Sequence, residues 1–222
     1  MTHPASLSLL PDEPIEKENA SDQGAFSFLP GVAPEKLRQI IKGYEFRVTS
    51  AHARRVRDME DWSGAFVVGI HRDIFSPLFP QAAGHFRRSE ILFGRRTGAQ
   101  PEHIISFVEQ LVVTIRSHLT EVRALGNAKE RIVRAFMFAA IDHSEMLRIH
   151  PFIDGNGRWA RVVTVLFLRD CGLPIGTILR KRDKAKYIAA ADRCLDDGEP
   201  GDLANLFLRG YVEILKGRHH AI

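Results

Sequence analysis

A chain of 222 residues with 45% hydrophobic and 26% charged residues has the composition of an ordinary globular protein with room for one good core. Its apolar runs fall short of the roughly 18 residues that cross a bilayer; the most conspicuous, Val162 to Leu168, is interrupted by Thr164, so no membrane span is expected. The formal charge of +4 is scattered over Arg54-Arg55, Arg87-Arg88, Arg95-Arg96 and Arg180-Lys181-Arg182. That scatter reads as a solvated surface with some cations left for a small anionic ligand, and it argues against a nucleic-acid-binding stripe.

Cys171 and Cys194 have no CxxC spacing and are too few for a disulfide framework, so they read as apolar fillers in a reducing compartment. The first residues lack the basic, apolar, small-residue order of a secretory signal. A cytoplasmic protein is the expectation.

In chain order, residues 1–33 carry Pro4, Pro11, Pro14 and Pro30 among Ser, Asp, Glu and Gly with little periodicity, which predicts an extended or disordered arm. Residues 34–222 read as one helical domain. Pro34 suits a first helical position, and Leu37, Ile40, Ile41 and Tyr44 share a face; a second segment runs from Val48 to Met59. A helix over 65–75 follows, striped by Phe66, Val67, Ile70 and Ile74, and Pro77, Pro80 and Gly84 break it. Phe86 to Gly98 is the one non-helical insert: Ile91-Leu92-Phe93 are strand-like, and Gly94 and Gly98 bracket a turn, which predicts a short hairpin. Pro101 opens a helix with Ile104, Val108, Leu111, Val112, Ile115 and Leu119 on one side, and Gly126-Asn127 ends it. Further helices are predicted over 128–147, 156–169 and 183–195, and one from Asp202, which suits an N-cap.

Between the helices over 128–147 and 156–169 lies His150-Pro151-Phe152-Ile153-Asp154-Gly155-Asn156-Gly157-Arg158-Trp159-Ala160-Arg161. A histidine ordinarily titrates near neutrality, so His150 suits a proton acceptor. Asp154 is a hard oxygen donor of the kind Mg²⁺ takes alongside phosphate oxygens. Gly155, Asn156 and Gly157 bring backbone N–H groups close to an anion at a helix N-terminus. Arg158 and Arg161 stand three apart on that helix and suit bidentate phosphate contact. Together these groups suit a nucleoside triphosphate with its metal. Asn156 equally suits a helix cap.

The segment matches HPFx[DE]GNGRxxR at every fixed position and so resembles the signature of the Fic (filamentation induced by cAMP) family. The likeness runs from about Ala65 to Leu215. It includes Ala139 to Ile149 with His143, Ile70 to Phe75, and Ala83 to Arg87; the chain departs at Ala82, where many relatives place Trp. The resemblance implies an all-α, Fic-type helical bundle with a short β-hairpin flap, and transfer of AMP from ATP to a Tyr, Thr or Ser hydroxyl of a target protein. It implies His150 as the base, Asp154 as the Mg²⁺ ligand, Gly155, Asn156 and Gly157 as the anion hole, and Arg158 and Arg161 on the β- and γ-phosphates. Tyr187 would stand near the adenine. The flap, with Ser89, Glu90, Ile91, Leu92, Phe93 and Gly94, would hold the target by strand addition. Doc phosphotransferases carry Lys where Gly157 stands and phosphocholine transferases Ala at Gly155, so the loop favours AMP transfer over another donor. The alternatives are a Fic-fold transferase using another nucleotide or phosphocholine, and a non-enzymatic basic nucleic-acid-binding module.

Away from the motif, His71 and His143 lie on apolar helix faces and read as satisfied core histidines. The family's inhibitory pattern [ST]xxxE[GN] has no match: Glu121 is followed by Val122, and Glu18-Asn19 has Pro14 four residues before. The expectation is a separate antitoxin chain and a growth-arresting toxin.

Overall fold

The computed structural model describes residues 62–77, 80–173 and 183–216. The expected arm over 1–33 and the helices expected from Pro34 and over 48–59 lie outside them. Among the described residues there are six α-helices and one hairpin: α1 (Gly64–Phe75), β1 (Leu92–Phe93), β2 (Arg96–Thr97), α2 (Ile104–Ala124), α3 (Ala128–Ile149), α4 (Asn156–Asp170), α5 (Lys184–Asp197) and α6 (Gly201–Leu215). The mostly helical architecture with one hairpin is as predicted. A short 3-10 turn over Pro101–His103 precedes α2, so Pro101 opens a tighter turn than the α-helix expected there. The described residues fall into two compact units, one within Met1–Glu109 and Ile149–Trp159, the other within Gln110–Arg148 and Ala160–Ile222.

In the first unit, the Ser63 hydroxyl caps α1 by accepting from the Phe66 N–H at 3.0 Å. The expected stripe of Phe66, Val67, Ile70 and Ile74 is buried. The Trp159 indole N–H donates to the Val67 carbonyl at 2.7 Å, fixing the first turn of α4 on α1. Phe152 is fully buried. It stacks on His71 at 3.6 Å between ring centroids and meets Trp159 edge-on at 5.1 Å. Burying a phenyl ring contributes roughly 2–3 kcal/mol, so this aromatic set anchors the loop ahead of α4. The hairpin pairs Leu92 with Thr97 and Phe93 with Arg96 around Gly94-Arg95. Ile91, expected in the strand, instead precedes it and is buried.

In the second unit, the Asn127 side chain caps α3, accepting from Lys129 N and Glu130 N at 2.9 and 3.0 Å. The end of α4 is closed by Gly172 N to Arg169 O at 2.8 Å and Leu173 N to Leu168 O at 3.0 Å. The Arg123 guanidinium adds bonds to the Asp170 carbonyl at 3.2 and 3.1 Å. Leu111, Ile115, Leu119, Phe136, Ala139, Ala140, Val163, Phe167, Leu203 and Phe207 are buried. Asp202 is not the N-cap of α6. Pro200 holds that position and Asp202 lies in the first turn, ion-paired to Arg193 at 2.5 Å. A carboxylate there still complements the positive end of the helix.

Candidate active site

His150 follows the last residue of α3 and is the only non-glycine described residue with positive φ, at 49°. An L-residue in this left-handed region carries roughly 1–2 kcal/mol of strain, which its neighbours must hold. Arg87 supplies the hold. Its Nε donates to the His150 carbonyl at 2.7 Å and its Nη2 to the Ile149 carbonyl at 3.3 Å. The same guanidinium donates to Ser89 O at 2.7 Å and Ala99 O at 2.5 Å, at the two feet of the hairpin. The Arg87 N–H donates to Pro151 O at 3.0 Å. Burial lowers the guanidinium to about 10, which still leaves it charged at neutral pH with every donor in place. Arg87 was grouped in the sequence with solvated surface cations; it is 1% exposed. Gly98 accommodates it, since a Cβ there would lie 2.6 Å from Nη2 of Arg87 and 3.1 Å from Cβ of His150. The His150 imidazole stacks on Phe93 of the hairpin, with ring centroids 4.2 Å apart.

Asp154 is set by His71. The Gly84 N–H donates to Nδ1 of His71 at 2.9 Å, so the neutral ring carries its hydrogen on Nε2 and donates it to the Asp154 carbonyl at 3.0 Å. Burial pushes His71 down to about 3, so it stays neutral. The Asp154 Oδ1 accepts from Gly155 N at 2.5 Å and lies 3.7 Å from Arg158 Nη2. Its Oδ2 has no hydrogen-bond partner among the described residues. The described residues contain no cluster of three His, Cys, Asp or Glu that would cage a metal alone. A partly exposed carboxylate with one open oxygen does fit Mg²⁺, which brings water and phosphate oxygens and needs only one or two protein carboxylates.

Gly155 has φ +78°, and an added Cβ would sit 2.8 and 2.9 Å from the Phe75 ring carbons and 3.2 Å from Nε2 of His71. Strain and overpacking therefore act together. Gly155→Ala is expected to destabilise the protein by about 2–4 kcal/mol, measured as a lowered urea midpoint; an unchanged midpoint would contradict this packing.

Asn156 is 3% exposed and its amide bonds locally. Oδ1 accepts from Phe152 N at 2.9 Å and Nδ2 donates to Phe152 O at 2.7 Å. Its side chain therefore clips the loop shut across four residues rather than capping α4. Its backbone N–H and the second hydrogen of Nδ2 remain for the anion role. The first intrahelical bond of this turn runs from Trp159 N to Gly155 O at 2.8 Å. Helix geometry gives the N–H groups of Asn156 and Gly157 no carbonyl four residues back within α4. Arg158 lies beside them, with its guanidinium carbon 5.2 Å from the Phe75 ring centroid.

Arg161 is also carried by α4, and its surroundings belong to the second unit. Its guanidinium carbon lies 5.8 Å from the centroid of the Tyr187 ring. The Tyr187 hydroxyl meets Nε2 of His143 at 2.8 Å, and Nδ1 of His143 meets Thr164 Oγ1 at 2.8 Å. Both His71 and His143 are fully buried and held near 3 by desolvation. The unfolded chain takes up these protons below about 6.5, whereas the folded chain does not until about 3. Stability contributed by keeping them neutral is thus full above pH 6.5 and declines as pH falls towards 3, by up to about 1.4 kcal/mol per pH unit for each ring. Urea unfolding at pH 7 and pH 5 should show a drop of about 2–4 kcal/mol, removed in part by His71→Gln.

Of the residues expected to grip a target, Leu92 is 76% exposed, Ser89, Glu90 and Gly94 are exposed, Phe93 is half-buried under His150, and Ile91 faces the core. Leu92 and Phe93 alone of these lie in a paired strand.

A strained histidine, a carboxylate with an open oxygen and the arginine-bearing start of α4 thus stand on a mostly helical scaffold. The family pattern of the Fic/DOC family matches residues 62–168, and the chain carries a domain of that family. Among curated relatives, the protein adenylyltransferase fic-1 of Caenorhabditis elegans is 28% identical over 124 residues, covering 56% of this chain and 22% of the relative. The chain thus spans about a fifth of that relative's length. Among solved structures, Fic-1 from C. elegans superposes with a TM-score of 0.61 at 19% identity, over 85% of this chain and 53% of that one. BepC from Bartonella tribocorum, solved with bound AMPPNP, gives a TM-score of 0.53 at 19% identity, over 77% of this chain and 85% of that one. At these identities the structures share the fold.

Proposed function

We propose that this protein is an adenylyltransferase that moves AMP from ATP to a hydroxyl side chain of another protein. The observation that carries it is the loop from His150 to Arg158: one clamped segment supplies an imidazole, an open carboxylate oxygen and a helix tip with a guanidinium. The relatives named protein adenylyltransferases and the neighbour holding AMPPNP support ATP as the donor. In this reading the triphosphate lies against the first turn of α4, with Arg158 and Arg161 on its β- and γ-phosphates and Tyr187 beside the base. Asp154 would hold Mg²⁺, which when bound neutralises charge on the phosphate oxygens. His150 accepts the proton of the target hydroxyl as its oxygen attacks the α-phosphorus. The bond to the β-phosphate breaks and pyrophosphate leaves. The nucleophile comes from the partner, so no covalent enzyme intermediate is needed. The hairpin edge at Leu92 takes the target segment by strand addition.

The proposal extends to a growth-arresting toxin restrained by a separate antitoxin chain, in a cytoplasm that keeps the buried Cys171 and Cys194 as thiols. The deciding experiment incubates lysate with purified protein and labelled ATP, GTP, CTP or UTP, followed by mass spectrometry. ATP-specific AMP adducts, present with the wild type and missing with His150→Ala, are expected. Adducts from another nucleotide alone, or none with active-fold wild type, would refute it.

A further inference from the structure

Three groups beneath Arg161 form a hydrogen-bond chain whose direction can be read atom by atom. The Thr164 hydroxyl donates its only hydrogen to the Ala160 carbonyl at 2.7 Å, one turn back in α4. Its oxygen can therefore only accept at the 2.8 Å contact with His143, so the imidazole hydrogen is on Nδ1. A neutral ring protonated at Nδ1 has a bare Nε2, which must accept the Tyr187 O–H at 2.8 Å. With its hydrogen spent, the phenol oxygen has only lone pairs left. The cation nearest that ring is Arg161, which acts electrostatically on the hydroxyl and whose guanidinium carbon lies 5.8 Å from the ring centroid.

We propose that Thr164, His143 and Tyr187 are positioning residues: a one-way hydrogen-bond chain that leaves the phenol oxygen as a pure acceptor beside Arg161 and holds its guanidinium ready for the outer phosphates of a nucleoside triphosphate. The proposal rests on the reading of Arg161 as a phosphate ligand given above. Pre-ordering matters here because an arginine side chain otherwise loses about 2 kcal/mol of rotamer freedom when it is fixed. Burial keeps His143 neutral beside a permanent cation, and that neutrality keeps Nε2 an acceptor across the physiological range. The ring of Tyr187 and its hydroxyl then have separate duties, the first toward the base and the second toward Arg161.

Calorimetric titration with Mg·ATP and with AMP separates these duties. Tyr187→Phe keeps the ring and removes the hydroxyl. It is expected to weaken Mg·ATP by about 5–10-fold and to leave AMP within about twofold, because AMP lacks the outer phosphates. Thr164→Val, one link further back, should show the same split with a smaller size, and serves if the tyrosine variant folds poorly. A merely structural defect would weaken both ligands together, and that result overturns the proposal. Tyr187→Phe binding both ligands like wild type also overturns it, while a large ATP loss in Arg161→Ala would keep the phosphate reading intact. If Arg161→Ala binds Mg·ATP like wild type, both fall.

Discussion

Replacing His150 with alanine is expected to lower AMP transfer by about 10²–10⁴-fold, the usual worth of a positioned general base, with Mg·ATP affinity within about twofold of wild type. Alanine alone leaves an ambiguity, because position 150 has φ 49° and alanine is no better suited to that region than histidine. Asparagine tolerates left-handed backbone more readily and keeps a polar side chain but cannot serve as a base near neutrality. His150→Asn should therefore lose as much activity as His150→Ala. Single-turnover transfer rates, measured with nucleotide binding in parallel, decide the matter. Asparagine restoring most of the activity would mean that the loop's shape, and not the imidazole, is what the reaction needs. Alanine retaining activity within tenfold would remove His150 from the chemistry.

Arg87→Leu should be the most damaging substitution outside the motif. The guanidinium is 1% exposed and donates to the carbonyls of His150, Ile149, Ser89 and Ala99. Each buried acceptor left without a donor costs about 1–3 kcal/mol. These costs are not additive, so a total of about 3–5 kcal/mol is expected. Lysine should rescue little, since one ammonium cannot reach four carbonyls that a planar guanidinium spans. Equilibrium urea unfolding tests the figure, and a loss under about 1 kcal/mol would show that the carbonyls find other donors. The functional consequence is sharper than the stability loss. Arg87 ties both feet of the hairpin to the carbonyl of the strained histidine, so its removal frees the base from the edge proposed to present the target.

The helices were legible because their apolar residues recur at helical spacing, and Ile104, Val108, Leu111, Ile115 and Leu119 are buried as that spacing requires. The motif was legible because its groups fall within twelve consecutive residues, where local geometry alone brings them together. His71 and His143 were legible as buried histidines on apolar faces, but their partners were not. Asp154 lies 83 residues from His71, and Tyr187 lies 44 from His143. Arg87 was missed for a plain reason. It stands next to Arg88, which is exposed, and its acceptors are backbone carbonyls that carry no mark in the sequence. Asn156 was readable in principle, since both of its bonds go to Phe152 four residues back, yet an asparagine at a helix start suggests a cap first.

Sequence alone determined the helical class, the hairpin insert, the family likeness and the short run of groups suited to a nucleotide. These follow from periodicity and adjacency, which are properties of the chain before it folds. Tertiary structure decided which groups are spent and which are available: Asn156 closes the loop, Arg87 holds it, His71 sets Asp154, and Asp154 keeps one oxygen open. A buried polar group must find a partner wherever the fold provides one, and for Arg87 and His71 that partner is a backbone atom far along the chain.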